Sequence, residues 1–342
     1  MRNFFDLTIK ELTGELAEKD PRTFRVDQIL RWVYRMGADT FSDMTDLPAD
    51  LREALSLCLD LKPVKTQENR IAGDGTVKFL HILEDGAGIE SVLIPDGEHF
   101  TLCISTQAGC SMSCLFCETG RAGSGRNLTT GEILAQVVYG YRYLGDRLAL
   151  RNLVFMGMGE PMKNLDALLA ALEMILSARA LDFSPRRVTV STCGWVPGIE
   201  RLGRSGLDVN LAVSLNAADD ETRSRLMPVN LKYPIGRVLD AVRRFPLKKG
   251  RRVTFEYVLI DGVNDRSQDA IRLAKILAGI PAKINLIPCN ATSSSLKASP
   301  ETRILAFRQI LADKGYVTTM RTSRGEDIMA ACGQLKKSAN GN

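Results

Sequence analysis

Hydrophobic positions change period twice along this chain. Over residues 1–60 they recur at helical spacing. VDQILRWVYRMG places Ile29, Val33 and Met36 at i, i+4 and i+7 with Gly37 as a stop, and ADLREALSLCLDL places Leu51, Leu55 and Leu59 on one stripe. Between residues 70 and 95 the pattern shortens to that of strands: TVKFLHIL, turn residues Glu84 to Gly88, then IESVLIP. From residue 101 onward apolar strands alternate with helical runs. The strands are TLCIST (101–106), NLVFMG (152–157), RVTVST (187–192), VNLAVSL (209–215), VTFEYVLI (253–260) and KINLIP (283–288). Helical runs such as TTGEILAQVVYGYRYL, NLDALLAALEMILSAR and RSQDAIRLAKILAG lie between them, the first opened by a Thr129-x-x-Glu132 capping box.

Six β-then-α units predict an α/β fold with a parallel sheet and right-handed crossovers. They are too few for a closed eight-stranded barrel and enough for an open, partial (β/α)6 one. In either form function collects at the C-terminal ends of the strands. The expected organisation is a small helical domain over 1–60, a β-hairpin linker over 61–96, the barrel over 97–335, and a disordered polar tail over 336–342.

Composition alters this picture little. The chain is 45% hydrophobic and 25% charged, as in ordinary soluble domains. No apolar run approaches about 18 residues, so no membrane partner is expected. The first twenty residues carry acids and lack a signal peptide's apolar core, so a cytoplasmic protein is expected. The net charge of +5 is uneven, because residues 1–60 hold 8 basic and 12 acidic side chains and the rest therefore carries +9. That suits a polyanion meeting the larger domain.

The sharpest chemical signal is Cys110-Ser-Met-Ser-Cys114-Leu-Phe-Cys117, directly after the first barrel strand. Thiolates suit iron–sulfur clusters or zinc. Structural zinc wants four closed ligands, and no fourth Cys or His lies nearby; a zinc clip completed by a distant cysteine is the competing reading. Three thiolates on a cubane leave one iron open, which can bind S-adenosylmethionine (SAM). At the end of the next strand, in NLVFMGMGEP, Gly157 and Gly159 could let the backbone approach a ligand and Glu160 could bind an ammonium. Ser191, Ser214 and Asn290 fall at the corresponding ends of three later strands. Cys58, Cys193 and Cys289 read as packing residues, and spacing alone assigns no role to Cys103 or Cys332.

The run CISTQAGCSMSCLFCETG, followed in order by GRNLT, MGMGEPMKNL, VTVSTCGWVPGI, AVSLNA, NLIPCN and SRGEDIMAACGQL, resembles the RlmN/Cfr family of radical SAM RNA methyltransferases. FRVDQILRWVY and FSDMTDLPADLR resemble that family's N-terminal RNA-binding domain, so the resemblance runs from about residue 20 to 335. It implies a radical SAM barrel with a [4Fe–4S] cluster on Cys110, Cys114 and Cys117, and a SAM site of Gly159, Glu160, Ser191, Ser214, Leu215, Asn216 and Asn290. It further implies Cys332 as methyl carrier, Cys103 as second catalytic cysteine and Glu90 as acid/base. The family often reads Ser-Leu-His where this chain has Ser214-Leu215-Asn216. The implied activity is methylation of C2 of adenine 2503 in 23S rRNA, with adenine 37 of tRNA as a further substrate. It would use two SAM per turnover, a covalent RNA adduct and a flavodoxin-type reductant, in a monomer. Cfr-like C8 methylation and a non-catalytic zinc RNA-binding module are the alternatives. Of the basic residues, Arg121 and Arg126 border the cluster loop and are the expected phosphate contacts, while LKKGRR (247–252) reads as a solvated face.

Overall fold

The computed structural model describes residues 1–62, 64–123, 125–292 and 294–336. The chain begins with a two-residue strand β1 (Arg2–Asn3) and helices α1 (Ile9–Ala17), α2 (Phe24–Arg31) and α3 (Ala49–Cys58), and β2 (Leu59–Asp60) returns to pair with β1 in parallel. Phe4, Phe5, Tyr34 and Phe41 form the aromatic centre of this unit, with ring centroids 5.6–6.5 Å apart. Ile29 and Val33 are fully buried, but Met36 is 55% exposed. The cause is local: Trp32–Met36 is a π-turn, and its wider winding rotates Met36 off the stripe that regular helical spacing predicts.

One ten-stranded sheet follows, in the order β12-β11-β10-β9-β8-β7-β6-β5-β4-β3. Its antiparallel part comprises β3 (Lys65–Ile71), β4 (Val77–Ile82) and β5 (Gly88–Asp96), and β5 pairs antiparallel with β6 (His99–Cys103). From β6 the sheet is parallel through β7 (Leu150–Phe155), β8 (Val188–Thr192), β9 (Asn210–Ser214), β10 (Val253–Leu259), β11 (Ala282–Pro288) and β12 (Val317–Met320). All six expected barrel strands are present. The sheet does not close among the described residues: β3 and β12 are its edges. The hairpin strands hydrogen-bond directly to the barrel, so residues 65–96 continue its sheet.

Two strands of this sheet escape sequence reasoning. β3 reads KTQENRI and is almost wholly exposed, and β12 reads VTTM with no buried residue. Edge strands carry little of the apolar pattern that marks a half-buried one. The central strands are buried nearly throughout, as parallel strands covered on both faces should be.

The covering helices are α4 (Glu118–Arg121), α5 (Thr130–Leu144), α6 (Leu165–Leu176), α7 (Val196–Arg204), α8 (Asp220–Leu226), α9 (Ile235–Arg244), α10 (Ser267–Ile276) and α11 (Glu301–Asp313). The Thr129/Glu132 capping box opens α5, and Gly145 in the left-handed region ends it. The N-terminal unit sits on α5. The Asp6 carboxylate accepts from the Gly131 amide (2.6 Å), and the Tyr141 hydroxyl donates to the Val33 carbonyl (2.9 Å). A Cβ on Gly131 would lie 2.2 Å from the Asn3 side-chain amide, so glycine is what permits the approach. Of the expected tail, residues 337–342 lie outside the described residues.

Candidate active site

The barrel strands deliver the candidate residues to one mouth. After Cys103 the chain leaves the ladder and runs across the C-terminal ends of the strands as the cysteine loop. It is pinned where Thr106 N donates to Met158 O (2.8 Å) and Leu115 N to Leu226 O (3.0 Å). Gly157 and Gly159 belong to the partner loop after β7. A Cβ on Gly157 would lie 2.7 Å from Ser105 Oγ, and one on Gly159, at φ +98°, 2.5 Å from Gln107 Cβ. Both glycines therefore let two loops interlock, a packing role the sequence does not distinguish from ligand approach.

A cavity at this mouth is lined by Cys110, Cys114, Cys117, Gly159, Glu160, Ser191, Ser214, Asn216, Asn290 and Cys332. A second, adjoining cavity is lined by Cys103, Cys117, Asn290, Arg321 and Cys332. Cys332 thus faces both. Leu215 lines neither: its side chain is fully buried, and its carbonyl accepts from Arg223 Nε (3.0 Å).

The three loop thiols sit in low-dielectric surroundings. Burial pushes Cys110 up to about 12, Cys114 well above its ordinary value and Cys117 upward. A cationic metal centre would reverse this by giving each thiolate its charge partner. Among the described residues no three His, Cys, Asp or Glu side chains converge closely enough for a single metal ion. Three thiols of one loop on one cavity wall are a donor set that suits an iron–sulfur cluster, and Cys193, Cys289 and Cys332 line the same cavity.

Glu160 is 3% exposed, and its carboxylate accepts from Cys193 N (2.8 Å) and Met162 N (3.1 Å) while burial raises its pKa. These contacts tie its carboxylate to the loop after β8 at the cavity wall. Asn216 adopts φ +58°, a conformation asparagine tolerates. Its amide oxygen accepts from Val258 N (2.9 Å) and its amide nitrogen faces Met227 Sδ at 3.3 Å. Asn216 therefore braces the loop after β9 as well as lining the cavity.

Cys332 rides on a strap, residues 325–336, that crosses the mouth. Asn290 Nδ2 donates to Cys332 O (2.9 Å), Thr119 Oγ1 to Leu335 O (2.7 Å) and Glu118 N to Gly333 O (2.7 Å). On the hairpin side Gly325 N donates to Asp74 (3.1 Å), Gly73 N to Asp327 (3.0 Å) and Lys78 Nζ to Met329 O (3.2 Å). The Asn290 oxygen accepts from the Ser323 hydroxyl, so both ends of its amide hold this segment. Cys103 is 9% exposed, and burial, reinforced by the charge of Cys332, pushes its thiol up to about 12.

Glu90 lines neither cavity. It lies on β5 two residues before Val92, on the face that Val92 presents to the second cavity. Its carboxylate pairs with Lys78 (2.9 Å) and accepts from Lys336 N at the strap's end (2.9 Å). Arg126 is spoken for as well, because Asp85 (2.5 Å) and Glu132 (2.7 Å) hold its guanidinium. Arg126 thus reaches the surface already paired with two carboxylates, whereas Arg121 is exposed. In the 247–252 segment, Asp208 binds Lys248 and Arg251.

Two lining residues went unnoticed in the sequence. Arg321 follows β12, and its amide extends the ladder to Leu286 O (2.9 Å). The charge of Cys332 raises its pKa, with Glu256 and Cys103 adding to the effect. Recognising β12 would have placed Arg321 at a strand's C-terminal end. Glu256, inside β10, hydrogen-bonds Asn285 Nδ2 (2.7 Å), and burial raises its pKa. As a mid-strand residue it gives no loop signal.

Comparison with known proteins agrees with this geometry. A radical SAM superfamily model matches residues 104–274, and a ribosomal RNA large subunit methyltransferase N-terminal domain model matches residues 2–60. The chain is 50% identical over 331 residues to a dual-specificity RNA methyltransferase RlmN of Geobacter sulfurreducens, covering 96% of this chain and 91% of that one. It is 44% identical to the RlmN of Solidesulfovibrio magneticus, covering 100% and 98%. A radical SAM methyltransferase structure from Sphaerobacter thermophilus superposes with a TM-score of 0.93 at 45% identity, covering 98% of this chain and 99% of that one. The chain belongs to the RlmN family of radical SAM RNA methyltransferases, and is a SAM-dependent enzyme of that class.

Proposed function

We propose that this enzyme methylates C2 of adenine 2503 in 23S rRNA, and adenine 37 of tRNA, by way of a methylated Cys332 and a covalent RNA adduct. The observation that carries the reading is the position of Cys332, which lines the cavity of the three loop cysteines and also that of Cys103. Cys110, Cys114 and Cys117 would hold a [4Fe–4S] cluster, and Gly159, Glu160, Ser191, Ser214, Asn216 and Asn290 would surround SAM, with Leu215 shaping the loop behind it. When bound, SAM and the cluster supply a methyl group and a hydrogen-abstracting radical, with two SAM used per turnover. An sp² adenine carbon is no nucleophile, so a carrier able to form a carbon radical is needed.

Cys332 takes that role because it lines both cavities. Once its methyl carbon is bonded to the base, Cys103 attacks the Cys332 sulfur. The sulfur–carbon bond breaks with its electron pair going to the methylene carbon, which takes a proton to become the methyl group, and a disulfide forms between the cysteines as the product leaves. Arg321 lines the second cavity with both cysteines, and its charge works against the burial that raises the Cys103 thiol. Glu90 would take up the ring proton, for which its contact with Lys336 N must open. A flavodoxin-type donor would supply electrons. We place the enzyme in the cytoplasm as a monomer.

The test is product analysis. Anaerobic enzyme with reductant, SAM and protein-free 23S rRNA should give 2-methyladenosine on digestion, and 8-methyladenosine alone would replace the C2 assignment. Brown protein carrying iron and sulfide is expected; stoichiometric zinc without iron would remove the enzyme reading.

A further inference from the structure

Beside the cysteine loop lies a cationic surface with no assigned role. Lys163, after β7, donates to the hydroxyl of Ser111 within the loop (2.8 Å), and its ammonium stands 5.2 Å from the Trp195 ring centroid. Lys232, in the segment after α8, stands 5.0 Å from the same ring, and Tyr233 packs edge-on to it at 5.2 Å. One indole thus holds two ammonium groups by cation–π contact, which gathers positive charge at one spot beside the loop. Exposed Arg225 precedes Leu226, whose carbonyl accepts from Leu115 of the loop. Of the nearby carboxylates, Asp166 pairs with Arg201, Glu200 with Arg244 and Asp219 with Arg272, and Asp220 accepts from Ile235 N, while exposed Glu221 lies one turn before Arg225 in α8. Within this basic field Leu115 is 42% and Leu231 is 79% exposed.

We propose that this surface docks an acidic one-electron carrier protein, which delivers its electron through the outer face of the cysteine loop. The proposal rests on the reading of that loop as a cluster site. Charge complementarity sets the sign of the partner, and exposed leucines among the cations suit a protein interface with an apolar centre. RNA is the other polyanion this enzyme meets, but its target base must reach Cys332 and Cys103. Those lie at the strap side of the mouth, against the hairpin and the end of β11. The patch instead follows β7, β8 and β9, so carrier and RNA could bind together. The carrier loses one electron and the cluster gains it; no bond is made or broken at this surface.

The test uses anaerobic holoenzyme and a reduced acidic flavodoxin. An Arg225→Glu/Lys232→Glu double variant leaves the Lys163–Ser111 contact in place, and Lys163→Glu is made separately. Bleaching of the visible iron–sulfur absorbance is followed after mixing with flavodoxin, and with dithionite as a small reductant. Flavodoxin affinity is measured by calorimetry across salt concentrations, and RNA affinity by filter binding. We expect flavodoxin reduction to slow by about tenfold or more in each variant, with its affinity falling as salt rises in the wild type. Dithionite reduction and RNA affinity should be unchanged. Wild-type flavodoxin rates in the double variant would overturn the proposal. So would loss of RNA affinity with flavodoxin reduction intact, which would give the surface to RNA. Failure of the cluster reading would show separately, as wild-type protein without iron that dithionite does not bleach.

Discussion

Replacing Lys78 by methionine tests how the strap that carries Cys332 is held. Lys78 and Glu90 are diagonal neighbours across β4 and β5, since Lys78 pairs with Val92 and Leu80 with Glu90. Their ion pair is 2.9 Å long, and the side chains are only 9% and 8% exposed. Methionine nearly matches the lysine stem in volume, so the main loss is charge. Removing one partner of a buried pair costs about 3–5 kcal/mol, because the other charge stays buried alone. Changing Glu90 to glutamine as well removes that stranded charge and keeps an acceptor for Lys336 N, so Lys78→Met/Glu90→Gln should recover about 2 kcal/mol or more of the loss. The strap itself loses the bond from Lys78 to Met329 O, a charged hydrogen bond of about 1.5–3 kcal/mol. Amide exchange over 329–336 should then quicken by roughly 10–100-fold, while α10 and α11, remote from the hairpin, keep their protection. Urea unfolding at pH 7 and hydrogen exchange on the apoprotein measure both effects, and Lys78→Arg should restore them in part. If Lys78→Met falls within about 1 kcal/mol of wild type, or the double variant is no better than the single, the pair is not the latch described.

Two further outcomes follow from the thiols. Cys114→Ala should abolish iron retention and SAM cleavage, as read by iron assay and 5′-deoxyadenosine release, because two thiolates do not hold a cubane; full iron content would contradict the cluster assignment. Burial raises Cys103 to about 12 from an ordinary 9.0, so its stabilising contribution is full below pH 9 and is lost as pH rises toward 12, since the unfolded chain releases that proton first. Apoprotein stability should fall above pH 9 by up to about 1.4 kcal/mol per pH unit for this thiol, and Cys103→Ala should show a shallower decline in urea titrations.

The barrel strands were legible because buried parallel strands are apolar along their whole length. The cysteine loop was legible because its three cysteines are local in sequence. Harder to see were features built by tertiary contact. β3 and β12 are edges with polar sequences, so Arg321 went unplaced. Gly157 and Gly159 line the first cavity, and the same two glycines interlock with the loop from β6, a packing role that no local pattern reveals. Arg126 looked free because its partners, Asp85 on the hairpin turn and Glu132 in α5, come from two other elements. The clamp of Asp74, Lys78 and Glu90 on the strap joins residues more than 240 positions apart, beyond the reach of any local pattern.

The central claim is that Cys332 carries the methyl group and Cys103 releases the product, and one trapping measurement addresses it most directly. Wild type, Cys332→Ala and Cys103→Ala enzymes are loaded anaerobically with cluster, given methyl-labelled SAM and reductant, mixed with RNA and run on a denaturing gel. Cys332→Ala should carry no labelled methyl and form no adduct. Cys103→Ala should load the label and accumulate a heavy enzyme–RNA species, because no thiolate remains to attack the Cys332 sulfur. Normal turnover by Cys103→Ala without that species would contradict the account.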